Sequence, residues 1–190
     1  MDLERDNVRA AAAWALEHDV PLAYRLIGRA IRSWSMRGPM QEGKAWIEAT
    51  LQKPVDGVAP GDLAMALRAC SPFANHEEDL DVYVDRLMRS HVLFRETGQH
   101  GEAAMALSVT GTLHSWKGDE ERCRELYRDA LDLARESGNV GALSMCLNNA
   151  GYDHYTEGDM ESAGRYFDEL LPLLRLRDQH HDAFYLNSIG

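Results

Sequence analysis

The sequence predicts an all-α solenoid built from antiparallel helix pairs that repeat about every 40 residues. Turn-forming dipeptides recur at this interval between helical runs, at Gly38-Pro39, Glu78-Asp79, Gly118-Asp119 and Gly158-Asp159. Two other sets of positions keep the same spacing, namely Thr97-Gly98, Ser137-Gly138 and Arg177-Asp178, and the methionines Met65, Met105 and Met145. A fixed period in this range is typical of stacked repeats that bury their apolar faces against one another.

Each repeat has the pattern of two amphipathic helices. Apolar or small residues recur every three or four positions in two segments, at Cys123, Leu126, Tyr127, Ala130, Leu131 and Ala134, and at Met160, Ala163, Tyr166, Phe167, Leu170, Leu171 and Leu174. Such spacing places them on one helix face. Asp119 and Asp159 are expected N-caps, with Glu120, Glu121 and Glu161 in the first turns. Gly98 and Gly138 are expected to end second helices in the left-handed conformation.

Two prolines interrupt these patterns. Pro72 falls within a first helix and Pro172 late in a second helix. Because proline removes an intrahelical hydrogen bond, we expect a kink or an early helix end at both.

These signals predict a single helical-repeat domain over residues 1–190. It comprises an entry helix at 3–18, repeats at about 20–57, 60–98, 100–138 and 140–178, and a truncated fifth repeat at 180–190. The last five residues, 186–190, reproduce the pattern of residues 147–151. A half-repeat provides no polar cap. We therefore expect a fragment of a longer protein, or an end that a partner covers.

The repeats resemble the tetratricopeptide pattern, whose skeleton is W-x2-L-G-x2-Y in the first helix and A-x3-F in the second. The third and fourth repeats match best, through Leu107, Thr110, Gly111, His114, Cys123, Tyr127 and Ala130, and through Leu147, Ala150, Gly151, His154, Ala163 and Phe167. The second and first match more weakly, through Leu67, Cys70, Ser71, Tyr83 and Leu87, and through Gly43 and Ile47. The resemblance implies a right-handed α-α superhelix.

The opening segment is similar to another family. Asp6–Ala11, Trp14–Glu17, Arg37-Gly38 and Gly43–Glu48 resemble the start of the helical-repeat region in STAND-class signal-transduction ATPases and their LuxR-type and antibiotic-regulator relatives. The resemblance covers residues 4–51. It implies that nucleotide-binding and DNA-binding modules lie elsewhere in a full bacterial protein, with this chain as its sensor or interaction arm.

Composition narrows the possible partners and locations. Residues 1–55 carry a net charge of +1 and residues 56–190 carry −12, so neither part attracts a nucleic-acid backbone. The sequence contains neither an apolar run long enough to cross a membrane nor an export signal. Cys70, Cys123 and Cys146 lie within helical patterns, which predicts free buried thiols. We expect a soluble, cytoplasmic chain.

No motif predicts catalysis, a cofactor or a metal site. Residues 38–44 have the spacing of a phosphate-binding loop, but Ala45 stands where Ser or Thr must hold magnesium and a helix precedes the segment. The eight histidines form no zinc-binding pair. His114 and His154 occupy a repeat packing position, and no nucleophile elbow is present. We therefore expect a protein that is not an enzyme.

The tetratricopeptide resemblance also implies a binding surface. In such arrays the first helices line a concave groove, and the corresponding positions are Arg25, Arg32, Met65, Arg68, Asn75, His76, Met105, Ser108, Thr112, Ser115, Trp116, Met145, Asn148, Asn149, Tyr152 and Tyr155. The set contains no Asp or Glu, although residues 56–190 hold 24 of them. Met, Asn and aromatic side chains suit adaptable recognition, whereas packing between helices also accounts for the three methionines.

Two functions remain open at this point. The first is a scaffold that binds a protein or peptide segment, or a small inducer, in the groove of a larger regulator. The alternative is a self-association module that pairs through the open end after Gly190.

Overall fold

The computed structural model describes residues 3–75 and 80–175, apart from the side chains of residues 3–5, 32, 36 and 37, and throughout these ranges the regular structure is helical. The chain is all-α and forms two compact units, Met1–Thr97 and Gly98–Gly190. Several predicted features lie outside the described residues, namely His76, the turn Glu78-Asp79, Arg177-Asp178 and the segment 180–190.

The first unit contains five helices in its described part. These are α1 (Leu3–His18), α2 (Val20–Arg37), α3 (Met40–Leu51), α4 (Pro60–Arg68) and α5 (Leu80–Glu96). Helix α2 packs against α1, α3 and α4, and α4 also packs against α5. The core between them contains the fully buried Tyr24, Ile27, Ile31, Ile47, Leu87 and Phe94. At Gly28 an added Cβ would lie 3.0 Å from the Ala66 backbone nitrogen, so α2 and α4 approach at backbone distance.

The second unit contains four described helices, α6 (His100–Trp116), α7 (Glu120–Ser137), α8 (Val140–Glu157) and α9 (Met160–Arg175). Helix α6 packs against α7 and α8, and α8 packs against α7 and α9. In the two units together, helices begin 40 residues apart in two series, at Val20, Pro60, His100 and Val140, and at Met40, Leu80, Glu120 and Met160. We call the first series first helices and the second series second helices.

Small residues allow the paired helices of the second unit to approach closely. A Cβ on Gly111 would lie 3.1 Å from the Tyr127 ring, and a Cβ on Gly151 would lie 2.7 Å from Cε1 of Phe167. Gly111 of α6 and Gly151 of α8 therefore each receive an aromatic ring from the second helix that follows. All six predicted stripe residues of α7 are buried. In α9, the predicted stripe residue Met160, the first residue of the helix, is exposed. The rest of that stripe is partly buried at Tyr166, Phe167 and Leu171 and buried at Ala163, Leu170 and Leu174.

The expected caps are present. The side chains of Asp119 and Asp159 accept hydrogen bonds from the backbone N–H groups of Arg122 and Ser162, at 3.3 Å and 3.0 Å. Gly138 adopts the left-handed conformation, with φ of 63°.

The two prolines behave differently. Helix α4 ends at Arg68, ahead of a 3-10 turn at Ser71–Phe73, as the position of Pro72 predicts. At Pro172 the helix does not end, because α9 continues to Arg175, so of the expected kink or early end only the early end at the proline is excluded. Pro172 and Asp168, whose carbonyl loses its donor, are both exposed, so water can replace the missing bond.

The close packing of α8 on α9 generates a stability prediction. Replacing Gly151 with Leu should lower the free energy of unfolding by about 1–3 kcal/mol, because the new side chain overlaps the Phe167 ring. The matched control is Gly164→Ala on α9, where an added Cβ meets no atom within 4 Å. This control should raise stability by about 0.5–1 kcal/mol through reduced chain entropy. Urea denaturation measures the stability of both variants. An unchanged unfolding midpoint for Gly151→Leu would contradict the packing argument.

Candidate functional site

The first helices of the second unit lie side by side in a defined register. Asn149 Nδ2 on α8 donates to Ser108 Oγ on α6 at 3.1 Å, and Cys146 Sγ donates to the Ala104 carbonyl at 3.7 Å. The partners are 41 and 42 residues apart and advance in the same direction, so α6 and α8 run parallel. The predicted binding positions of this unit therefore lie on two neighbouring helices that run in the same direction.

The predicted residues on α6 and α8 differ in depth. Trp116, Tyr152 and Tyr155 are exposed, at 40%, 52% and 52% of their surface. We call these three side chains the aromatic face. The predicted residues that are partly buried are Thr112, Ser115, Met145 and Asn149, and those that are buried are Met105, Ser108 and Asn148. The buried residues pack within the unit and expose almost no surface.

The tyrosines of the aromatic face lie next to each other. Residues 148, 152 and 155 follow the i, i+4, i+7 spacing of one helix stripe. The ring centroids of Tyr152 and Tyr155 are 6.4 Å apart, and their planes are inclined by 31°. Large apolar rings with polar tips at half-exposed positions are common anchors of binding surfaces.

A buried polar atom lies one turn before the tyrosines. Asn148 Oδ1 is buried and accepts no hydrogen bond from the described residues. Such an atom lowers stability, because its hydration is lost without compensation. Packing alone does not explain an asparagine at this position, because an apolar residue would fill the space without an unsatisfied oxygen. Asn148 shares a helix stripe with Tyr152 and Tyr155.

The predicted residues of the first unit form a separate set. Arg25 and Asn75 are exposed, while Met65 and Arg68 are partly buried. Arg68 Nη2 lies 3.4 Å from Met65 Sδ, and the guanidinium lies 6.0 Å from the centroid of the Phe94 ring. Arg68 is therefore engaged within its own unit. Arg32 lies on α2, but its side chain, like His76, lies outside the described part of the structure.

The turns after α6 and α8 share a histidine–aspartate contact. Nδ1 of His114 and Oδ2 of Asp119 form a hydrogen bond of 3.0 Å. Nδ1 of His154 lies 3.3 Å from Asp159 Oδ2, close enough for attraction although the angle is outside hydrogen-bond geometry. The His114 hydrogen bond lowers the pKa of Asp119, and hydrogen bonds from Ser162 lower the pKa of Asp159. The two histidines therefore contact the capping aspartates of the turns and are not only packing residues.

A buried polar cluster between α6, α7 and α8 was not predicted. Cys123 Sγ donates to Asp153 Oδ2 at 3.3 Å, and the hydroxyls of Thr112 and Tyr127 are 3.0 Å apart. Burial, together with the charge of Asp153, raises the pKa of Cys123 to about 12 and also raises that of Tyr127. Sequence spacing gives no signal for a buried carboxylate, because Asp153 reads as one more polar helix residue.

The three cysteines are free and buried, as predicted. Burial raises the pKa of Cys70 to about 11 and that of Cys146 to about 12. All three thiols are therefore protonated at neutral pH, and a neutral thiol is a weak nucleophile. Within residues 3–75 and 80–175, no three His, Cys, Asp or Glu side chains form a group that could hold a metal ion.

A cavity of about 280 Å³ opens at the N-terminal ends of α6 and α8. It is lined by Gly98, Gln99, His100, Gly101, Glu102, Ser137 and Asn139. The lining is mainly polar and backbone, so it lacks the apolar walls of a typical small-molecule pocket.

Comparison with protein-family models gives no match, and no curated protein is significantly similar in sequence. None of the described helices is both long and apolar enough to cross a membrane.

Asn148 generates a prediction about stability. Replacing it with Leu removes the unsatisfied oxygen at similar volume, and should raise the free energy of unfolding by about 1 kcal/mol. Asn149→Leu is the matched control on the next position. It should lower stability, because it removes the hydrogen bond to Ser108. Thermal and urea unfolding compare the two variants; a loss of stability in Asn148→Leu would show that the amide is satisfied in solution.

The capping carboxylates generate a prediction about pH. Because the folded-state pKa values of Asp119 and Asp159 are lowered, the stability they contribute is present above their unfolded pKa and is lost as pH falls toward the folded values. The double variant Asp119→Asn/Asp159→Asn keeps cap acceptors but removes the charges. It should be less stable than the original chain at pH 7, and the difference should narrow below about pH 4.

Denaturant titrations across this pH range measure the difference. Asp168→Asn, an exposed carboxylate in the middle of α9, serves as the control. A stability difference that is constant with pH would contradict the electrostatic role of the caps.

Proposed function

We propose that this chain is a non-enzymatic helical-repeat scaffold that binds a protein or peptide segment on the aromatic face. The observation that carries the proposal is the exposure of Trp116, Tyr152 and Tyr155 on neighbouring parallel helices. Rigid aromatic side chains that are solvated in the free protein gain favourable free energy when a partner covers them. A shallow extended surface also suits a peptide better than a compact ligand.

A right-handed, tetratricopeptide-like superhelix is part of this proposal. It is supported by the interval of 40 residues between helix starts and by the packing of α6 on α8 and of α2 on α4. The contacts of Gly111 with Tyr127 and of Gly151 with Phe167 support it further, because the tetratricopeptide skeleton carries a glycine in its first helix and an aromatic residue in its second.

The wider setting that we propose is the sensor or interaction arm of a larger cytoplasmic bacterial regulator. This rests on the resemblance of residues 4–51 to the regulator repeat region. In the structure, part of this segment is tied together by Arg9, which pairs with Glu42 at 2.9 Å and lies over the Trp34 ring at 5.3 Å. A small inducer is the other class of ligand proposed for the same arm.

Selection from a random peptide-display library, followed by titration of the selected peptides, tests the binding proposal. The double variant Trp116→Ala/Tyr152→Ala should weaken binding by at least about tenfold, since aromatic anchors commonly carry 2 kcal/mol or more. Trp14→Ala is the matched control, because Trp14 is 53% exposed but lies on α1. Equal affinities for the double variant and the original chain would exclude the aromatic face as the site.

The alternative function, self-association, predicts different results in sedimentation and in the library selection. Sedimentation of the original chain over a range of concentrations would show a dimer, and no library peptide would be selected. A monomer at every concentration would eliminate self-association.

A further inference from the structure

The aromatic face lies at one end of the second unit. Trp116 is the last residue of α6, and Tyr155 is two residues before the end of α8. Because α6 and α8 run parallel, the turns that follow them, at residues 117–119 and 158–159, lie at this same end. The charged residues in and next to these two turns therefore contribute to the electrostatic potential around the three rings.

These surroundings are acidic. Residues 116–122 and 156–162 contain two cations, Lys117 and Arg122, against six exposed carboxylates, Asp119, Glu120, Glu121, Glu157, Asp159 and Glu161, for a net charge of −4. The whole unit, residues 98–190, has 8 Lys and Arg against 16 Asp and Glu, a net charge of −8. Such a field attracts cations and repels acidic partners.

Some of these carboxylates are engaged within the unit, and others are not. Glu120 pairs with Arg124 at 2.6 Å, while Asp119 and Asp159 contact the turn histidines. Glu121 and Glu157 form no ion pair with any described residue. They are therefore available to a cationic group that approaches the aromatic face.

The rings themselves suit the same chemistry. The electron-rich face of Tyr or Trp attracts a guanidinium or ammonium group within about 6 Å of its centroid. The first unit already uses this contact, with Arg9 over Trp34 at 5.3 Å and Arg86 over Tyr83 at 5.9 Å. Among the described residues, no cation lies over Tyr152 or Tyr155.

We infer that the partner of the aromatic face is a basic peptide segment, whose Arg or Lys side chains stack on Tyr152 and Tyr155 while Glu121 and Glu157 neutralise their charge. This inference rests on the proposed function and names the class of partner. An acidic segment is disfavoured by the net charge, and a purely apolar one would leave the carboxylates without a role.

Fluorescence-anisotropy titration of the full chain tests the inference with defined peptides. The probes are labelled peptides in which Gly-Ser spacers separate Arg residues, and matched peptides with citrulline, Leu or Glu at the same positions. The Arg peptide should bind more tightly than the citrulline peptide, which has the same shape but no charge. Its affinity should fall as salt is raised from about 0.05 M to about 0.5 M.

Variants separate stacking from simple apolar contact. Tyr152→Leu/Tyr155→Leu keeps apolar surface but removes the rings, and should weaken the Arg peptide by about 3- to 30-fold per ring. Tyr152→Phe/Tyr155→Phe keeps the rings and should retain most of the affinity. Glu121→Gln/Glu157→Gln should weaken binding and flatten the salt dependence, while Trp14→Leu on α1 should change neither.

The outcomes distinguish this inference from the proposed function. If the Leu peptide binds at least as tightly as the Arg peptide and depends on Tyr152, the aromatic face is a binding site but its partner is not basic. If the Arg peptide binds equally well to the Leu double variant, the stacking is refuted. If no probe binds, the basic partner is refuted, and the library selection alone decides whether the face binds peptides.

Discussion

The close approach of each first helix to the following second helix is the constraint on which the second unit depends. At Gly111 and Gly151 the absence of a side chain lets Tyr127 and Phe167 lie against the helix backbone. This contact sets the separation within each helix pair, and thereby which residues of α6 and α8 are buried. The corresponding positions of the first repeat hold Ile31 and Ile47, both fully buried, so the same place in the pair is filled there by two aliphatic chains.

Ion pairs connect elements that are not consecutive along the chain. Arg9 on α1 pairs with Glu42 on α3, and Glu48 on α3 forms a two-point contact with Arg86 on α5, at 2.6 Å and 2.8 Å. In the second unit, Arg135 on α7 pairs with Glu169 on α9 at 3.0 Å. Each pair joins alternate helices of one unit. These contacts therefore help to align helices that are not consecutive in the chain.

Local signals in the sequence predict much of the fold, whereas the depth of individual side chains depends on neighbours. The caps at Asp119 and Asp159 and the glycines 111 and 151 meet local backbone needs that only a few residue types satisfy, so the sequence signals them directly. Asn148 and Tyr152 belong to one helix stripe, yet one is buried and the other exposed. The depth of each side chain depends on the neighbouring helix, and a repeat interval of 40 does not supply the offsets of 41 and 42 residues between contacting atoms of α6 and α8.

The aromatic face is also where the repeat breaks down. Forty residues from Tyr152, Tyr155 and Trp116 stand Thr112, Ser115 and Thr156, all small and polar. Packing positions keep their character from one repeat to the next, because each must fill an equivalent space. Positions that tolerate Thr or Ser in one repeat do not require an aromatic ring in the next for stability. Three half-exposed rings at such positions place apolar surface in water, so the packing requirement that the repeats share does not set their identity.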